Sequence, residues 1–220
     1  NNMFHHLKFL NLEKFLLGGE EIFYFPSLIR YFLTIFKILF NDTNYGYLTI
    51  GYILCLIVFI LFTKIYNFKF GLFFAFIVIC TRLLEGYGAS IIKLLKHINM
   101  SDAEPFAITI FLICLYLFIY IYENRNIKNN FLNFVFGILS FIIIALRPNY
   151  LPTVFLLFAI HTYFLYNSER FKEIFFSLFG LSSIFLIPLH NLYFGKEIVF
   201  LTTGHVHATS APLSIYFSAF

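Results

Sequence analysis

The stretch PFAITIFLICLYLFIYIY, residues 105–122, contains no charged side chain and is long enough to cross a lipid bilayer as a helix. Further apolar runs of similar character occupy residues 45–63, 70–84, 131–146, 150–166 and 174–189. Because lipid offers no hydrogen-bond partner to an open backbone, runs of this length are helical in a membrane. The sequence therefore predicts an all-α, polytopic membrane protein in which residues 45–189 form six spans.

The composition excludes several other classes of protein. Hydrophobic residues make up 60% of the chain and charged residues only 12%, outside the usual range of a soluble domain. No run of five or six basic residues is present, so we expect no nucleic-acid partner. Cys55, Cys80 and Cys114 all lie inside predicted spans, where a free cysteine behaves as a small hydrophobic residue.

The distribution of basic residues predicts the orientation. The short loops after the first, third and fifth spans carry Lys64, Lys69, Arg125, Lys128, Arg170 and Lys172. The opposite side, between residues 85 and 197, carries Lys93, Lys96, Arg147 and Lys196. The positive-inside rule places the short loops in the cytoplasm. We therefore expect a multi-pass protein of the plasma membrane, or of the inner membrane in a Gram-negative organism, with residues 1–44, 85–104 and 190–220 outside.

Residues 1–44 are predicted to form an outer segment that contains an interfacial helix. In PSLIRYFLTIFKILFN, residues 26–41, the polar side chains recur at three-four spacing and share one stripe of an otherwise apolar helix: Ser27, Arg30, Thr34, Lys37 and Asn41. ASIIKLLKHIN, residues 89–99, repeats the pattern. Such helices either anchor the chain at the membrane surface or turn their basic side toward a polar cleft. Residues 190–220 are interpreted as the start of another outer segment, and the chain as a fragment without its N-terminal span.

Polar residues at the outer ends of the spans are the candidates for chemistry. Asp102 and Glu104 precede the third span, where they either cap the helix or bind a divalent ion and act as bases. Arg147 ends the fourth span, where a guanidinium binds phosphate, from lipid or from a ligand. His205 and His207 form a pair without an identifiable third ligand.

The order of these pieces resembles the GT-C superfamily of membrane glycosyltransferases, which includes protein O-mannosyltransferases and aminoarabinose transferases. Four motifs are typical of that family: an aromatic-proline segment with an amphipathic helix, an acid that opens a helix, a glycine-containing span that ends in Arg-Pro, and an asparagine-aromatic-glycine loop. This chain has a stretch that resembles each of them, in the same order. The corresponding stretches are FYFPSLIRYFLTIFKILFNDTNYGY (23–47), MSDAEPFAITIFLICLYLF (100–118), FGILSFIIIALRPNYLP (136–152) and PLHNLYFGKEIVFLTTG (188–204).

The resemblance implies transfer of a sugar from a polyprenyl-phosphate carrier to an acceptor on the outer face. Asp102 and Glu104 would then match an accessory acidic position, whereas no position matches the principal aspartate of the family. Arg82, Arg147 and Lys196 are the outer cations expected to bind the lipid phosphate, and a divalent metal is a possible cofactor. Ser27 departs from the family pattern, which has a second proline there.

Two other functions remain open from the sequence. A multispan transporter would place ionisable groups near the middle of the membrane, and the only candidate there is His161. An outer-face polysaccharide polymerase or ligase would share the topology and differ in its acceptor.

Overall fold

The computed structural model of the chain describes residues 13, 16, 28–40, 45–65, 67–69, 71–73, 103–124, 128–195 and 198. In these ranges the main elements are helices, and the all-α prediction is confirmed there. The helices are α1 (Leu28–Phe40), α2 (Tyr45–Ile65), α3 (Ala103–Glu123), α4 (Asn130–Leu146), α5 (Leu151–Asn167), α6 (Phe171–Leu181) and α7 (Leu186–Gly195). Short 3₁₀ turns at Pro148–Tyr150 and Ser182–Phe185 join α4 to α5 and α6 to α7.

Local signals in the sequence determine where α4 and α5 begin and end. The side chain of Asn129 accepts a hydrogen bond from the Leu132 N–H at 3.0 Å and so caps α4. The helix ends at Arg147, whose extended backbone suits a residue that precedes proline. After α5 the chain reverses through Glu169, which has a positive φ of 55°. These turns fold α4, α5 and α6 back on one another.

Helices α4 and α6 cross at two glycines. A Cβ atom at Gly137 would overlap the carbonyl oxygen of Ser177 and lie 2.9 Å from the Cα atom of Gly180. A Cβ atom at Gly180 would overlap the carbonyl oxygen of Phe134 in the same way. Only glycine allows two backbones to approach this closely, and such contacts are typical of helix packing in membranes. Because Asn133 near the start of α4 also contacts Glu173 near the start of α6, the two helices run parallel.

The remaining helices are arranged along this pair so that the bundle has two distinct ends. Lys64 and Glu123, at the C-terminal ends of α2 and α3, form an ion pair of 2.7 Å between exposed side chains. We call this the basic end, and it also contains the starts of α4 and α6. At the opposite end, the α1 end, α1 packs against Phe106 of α3 and Leu146 of α4. The connections after α2, α3 and α5, whose basic residues predict the cytoplasmic side, therefore share one end of the bundle.

The interior between α3, α4 and α5 is a continuous apolar core. Its buried members are Cys114, Phe136, Ile143, Ile144, Val154, Leu157 and Phe158. Many large apolar side chains nevertheless face outward from the bundle, among them Leu156, Tyr163, Phe175, Phe179 and Leu186. An exposed apolar surface of this kind is unusual for a soluble monomer and suits contact with lipid.

In the described part of the chain, two helical stretches are long and apolar enough to cross a membrane, Pro105–Glu123 and Phe171–Phe194. Thr49–Ile65 and Asn130–Leu146 are apolar but shorter. This is weak support for membrane association, and the six predicted spans stay a prediction. The predicted run 70–84 lies outside the described residues except for residues 71–73, and residues 89–99 lie entirely outside them.

The glycine crossing predicts a strong effect of side-chain size at Gly137. Gly137→Leu should lower the thermal unfolding temperature of the detergent-solubilised protein markedly, because overpacking a closed contact costs about 1–3 kcal/mol or more. The matched control is Ala159→Leu, since Ala159 is exposed in an open groove of about 460 Å³ between α5 and α6 and has room for the larger side chain. Equal unfolding temperatures for the two variants would contradict the close crossing.

Candidate functional site

The described part of the chain contains one of the predicted phosphate-binding cations, Arg147. Arg82 and Lys196 lie outside the described residues, and so does the predicted acid Asp102. Glu104 belongs to the first turn of α3, but its side chain is not described. Among the described elements, α1, the start of α3, the end of α4 and α7 form the α1 end.

Aromatic contacts fix α1 on the start of α3. The ring of Phe106 lies 6.4 Å from that of Phe32 and 5.8 Å from that of Phe36. Leu28, at the start of α1, also packs against two buried clusters, one around Phe106 and the other around Ile187 of α7. Helix α1 consequently lies against α3, α4 and α7 at once.

The polar stripe of α1 faces the protein in part. Thr34 is fully buried, whereas Ile35, Ile38 and Leu39 are exposed. The predicted helix is confirmed over Leu28–Phe40, and the burial of Thr34 means that this part of the polar stripe packs against the protein. The exposed isoleucines and leucine form the apolar side that an interfacial helix would turn toward lipid.

Arg147 is positioned by the end of α4. Its backbone N–H donates to the Ile143 carbonyl at 2.9 Å, and its own carbonyl accepts from the Tyr150 N–H at 3.1 Å. The side chain is half-buried at the α1 end, next to Leu146 of the cluster that includes Leu28. A half-buried guanidinium at this rim has the planar donor geometry that binds phosphate at two oxygens.

A hydrogen-bonded group that the sequence analysis did not single out joins α1 to α7. The Tyr31 hydroxyl donates to the Leu16 carbonyl at 2.5 Å, and His190 Nε2 lies 2.8 Å from the same oxygen. The Tyr31 hydroxyl and His190 Nε2 are themselves 3.5 Å apart, although the residues are 159 positions apart in the chain. Both belong to stretches quoted for the family resemblance, but neither is a motif residue, so the sequence offered no signal for pairing them.

A second polar group is buried near the basic end. Arg170 and Glu173 form an ion pair whose side chains are each 3% exposed, and Asn133 Nδ2 donates to Glu173 Oε2 at 3.5 Å. His161 Nε2 lies 3.2 Å from Ser177 Oγ, and its ring centroid lies 4.1 Å from that of Phe136. This group therefore ties α4, α5 and α6 together.

Arg170 is buried, although the sequence places it in a short loop between two predicted spans. From the sequence, Arg170 indicates only the orientation of the chain. In the structure it pairs with Glu173, which comes three residues later in the first turn of α6. The two charges neutralise each other, and the start of α4 covers them. A paired charge of this kind can be buried, although its desolvation offsets most of the attraction.

No cluster of three or more histidine, cysteine, aspartate or glutamate side chains that could hold a metal ion occurs among the described residues. Asp102 and the side chain of Glu104, where a divalent ion was considered, are not among them.

Comparison with known proteins gives no family assignment. No protein-family model matches the chain, and no curated protein and no solved structure is significantly similar to it. The class of protein therefore has to be argued from the residues and the arrangement of the helices.

The buried ion pair predicts unequal effects of two glutamate substitutions. Glu173→Gln should lower the unfolding temperature strongly, because removing one partner of a buried pair costs on the order of 3–5 kcal/mol. Glu123→Gln, which breaks the exposed pair with Lys64, should change it little. Thermal unfolding of both variants in the same detergent measures the difference, and a small effect of Glu173→Gln would mean that water reaches the Arg170 side chain.

Proposed function

We propose that this chain belongs to a multi-pass membrane glycosyltransferase of the GT-C type, which transfers a sugar from a polyprenyl-phosphate carrier to an acceptor on the outer face. In this proposal the six apolar runs all cross the plasma membrane, and the α1 end faces outward. The short loops at the basic end face the cytoplasm.

One observation supports the proposal most: elements from all four stretches of the family resemblance meet at the α1 end. The first stretch contributes α1, whose Phe32 and Phe36 contact Phe106 of the second. The third contributes the end of α4, which packs in the same cluster. The fourth contributes α7, where His190 contacts Tyr31. These contacts bring elements of the four stretches to one end of the bundle, where a shared site would lie.

The chemistry of such a site fits the outer end of a membrane bundle. The isoprenoid tail of a carrier remains among the exposed apolar side chains, and its phosphate reaches the rim near Arg147. An inverting transfer needs a carboxylate that takes the proton of the acceptor and cations that stabilise the departing phosphate. Asp102 or Glu104 would supply an accessory carboxylate, in addition to the principal aspartate of the family. The positive charge that stabilises the phosphate would come from Arg82, Arg147 and Lys196.

A multispan transporter is the second candidate, favoured by the buried group of Arg170, Glu173 and His161. Ionisable residues inside a bundle often belong to an ion pathway. Two features weigh against that role: the charged pair lies at the start of α6, close to one end, and its two residues are only three positions apart in the chain. We therefore propose that the pair of Arg170 and Glu173 stabilises the packing of α4 and α6.

The topology is tested with single cysteines in a background that lacks the native cysteines. A membrane-impermeant thiol reagent applied to intact cells should label Asn149→Cys and Thr203→Cys and should spare Asn126→Cys and Asn167→Cys. Labelling after permeabilisation is the control for reactivity. The opposite pattern would move the α1 end to the cytoplasm and contradict an outer-face transferase.

The activity is tested in proteoliposomes with the full-length protein and a panel of polyprenyl-phosphate sugars. Arg147→Lys should reduce the release of polyprenyl phosphate about 100-fold, corresponding to about 2.7 kcal/mol of barrier, because lysine keeps the charge but loses the planar donor pair. Asp102→Asn and Glu104→Gln should each reduce it without a comparable loss of thermal stability. Lys128→Gln at the basic end is the matched control. Activity near wild type in all three variants would make these residues caps and anchors.

A further inference from the structure

The Leu16 carbonyl oxygen is held between two donors from different helices. The Tyr31 hydroxyl of α1 lies 2.5 Å from it and His190 Nε2 of α7 lies 2.8 Å from it. We call the Tyr31 hydroxyl and His190 Nε2 the oxygen cradle. Because a carbonyl oxygen only accepts hydrogen bonds, both groups donate, and Nε2 carries a proton.

The two donors are oriented by packing that does not depend on Leu16. The ring of His190 packs against that of Phe194, with the two centroids 4.8 Å apart, and the neighbouring Asn191 is buried. Tyr31 packs in the cluster around Ile187 and Ala145. The cradle is therefore preorganised for an oxygen acceptor.

The position of the cradle indicates which acceptor it suits. Leu28 packs with Tyr31 in the Ile187 cluster and also packs in the cluster of Leu146, the residue before Arg147, so the cradle lies at the same end of the bundle as Arg147. Neutral hydrogen-bond donors together with a nearby cation are groups that proteins commonly use to bind phosphate. The Tyr31 hydroxyl and His190 Nε2 donate to the Leu16 carbonyl oxygen at distances that would also suit hydrogen bonds to a phosphate oxygen.

We propose that Tyr31 and His190 bind an oxygen of the phosphate of the lipid-linked donor, in the place that the Leu16 carbonyl occupies in this structure. This assignment rests on the proposed function and adds two residues to its donor site. Binding of the phosphate then displaces the Leu16 carbonyl from the cradle, so that the N-terminal segment competes with the substrate.

The test compares two probes that differ only in the phosphate. Full-length protein is placed in phosphatidylcholine nanodiscs, and the binding of polyprenyl phosphate and of polyprenol of equal length is measured by native mass spectrometry. Tyr31→Phe and His190→Ala should each weaken binding of polyprenyl phosphate about tenfold, corresponding to about 1.4 kcal/mol, and leave polyprenol unchanged. His190→Gln keeps an N–H donor and should restore part of the loss.

Tyr52→Phe is the matched control, because Tyr52 is an exposed tyrosine of α2 away from the cradle. If the cradle only anchors the N-terminal segment, the variants will lower the unfolding temperature while the preference for phosphate over polyprenol stays at the wild-type value. That result overturns the assignment and leaves the transferase proposal standing. A wild-type protein with no preference for the phosphate would overturn the proposed function itself.

A competition arm distinguishes the source of the phosphate. Phosphatidic acid added to the nanodiscs should not displace polyprenyl phosphate at equal concentration if the site recognises the lipid-linked donor. Displacement to the same extent would assign the cradle to ordinary lipid headgroups and overturn the donor-specific role.

Discussion

The close approach of α4 and α6 at Gly137 and Gly180 is the constraint on which the rest of the bundle depends. Neither glycine can accept a Cβ atom without overlapping a backbone oxygen of the other helix. In lipid, apolar side chains gain little by moving from acyl chains to another helix, so close backbone packing provides most of the association. The crossing fixes the parallel alignment of α4 and α6, and α5 is placed by its connections to both.

This alignment places two sets of polar side chains at opposite ends of the bundle. At the basic end, Glu173 is one turn from Ser177 and so lies close to the crossing, where its pair with Arg170 is covered by Asn133. At the α1 end, polar groups stand at the rim, where ligands have access. The buried charges suit stability, and the accessible ones suit binding. The transferase site that we propose would lie at the α1 end.

The sequence predicted the helices more completely than the contacts between them. Apolar runs and the proline after Arg147 determined the ends of α4 closely, because lipid and proline constrain the backbone locally. The burial of Arg170 and the pairing of Tyr31 with His190 depend on which helices become neighbours, and no local pattern records that. Gly137 and Gly180 were visible as glycines in apolar runs, but only their juxtaposition shows why a side chain is excluded.

In the proposed function, the α1 end binds the phosphate of a lipid-linked substrate. An experimental structure of the full-length protein in nanodiscs with polyprenyl phosphate tests it most directly. We expect density for the phosphate at the α1 end, within hydrogen-bonding distance of Arg147 and of the Tyr31 hydroxyl, with the Leu16 carbonyl moved away. Phosphate density at the basic end beside Arg170, or an α1 helix detached from Phe106, would contradict it.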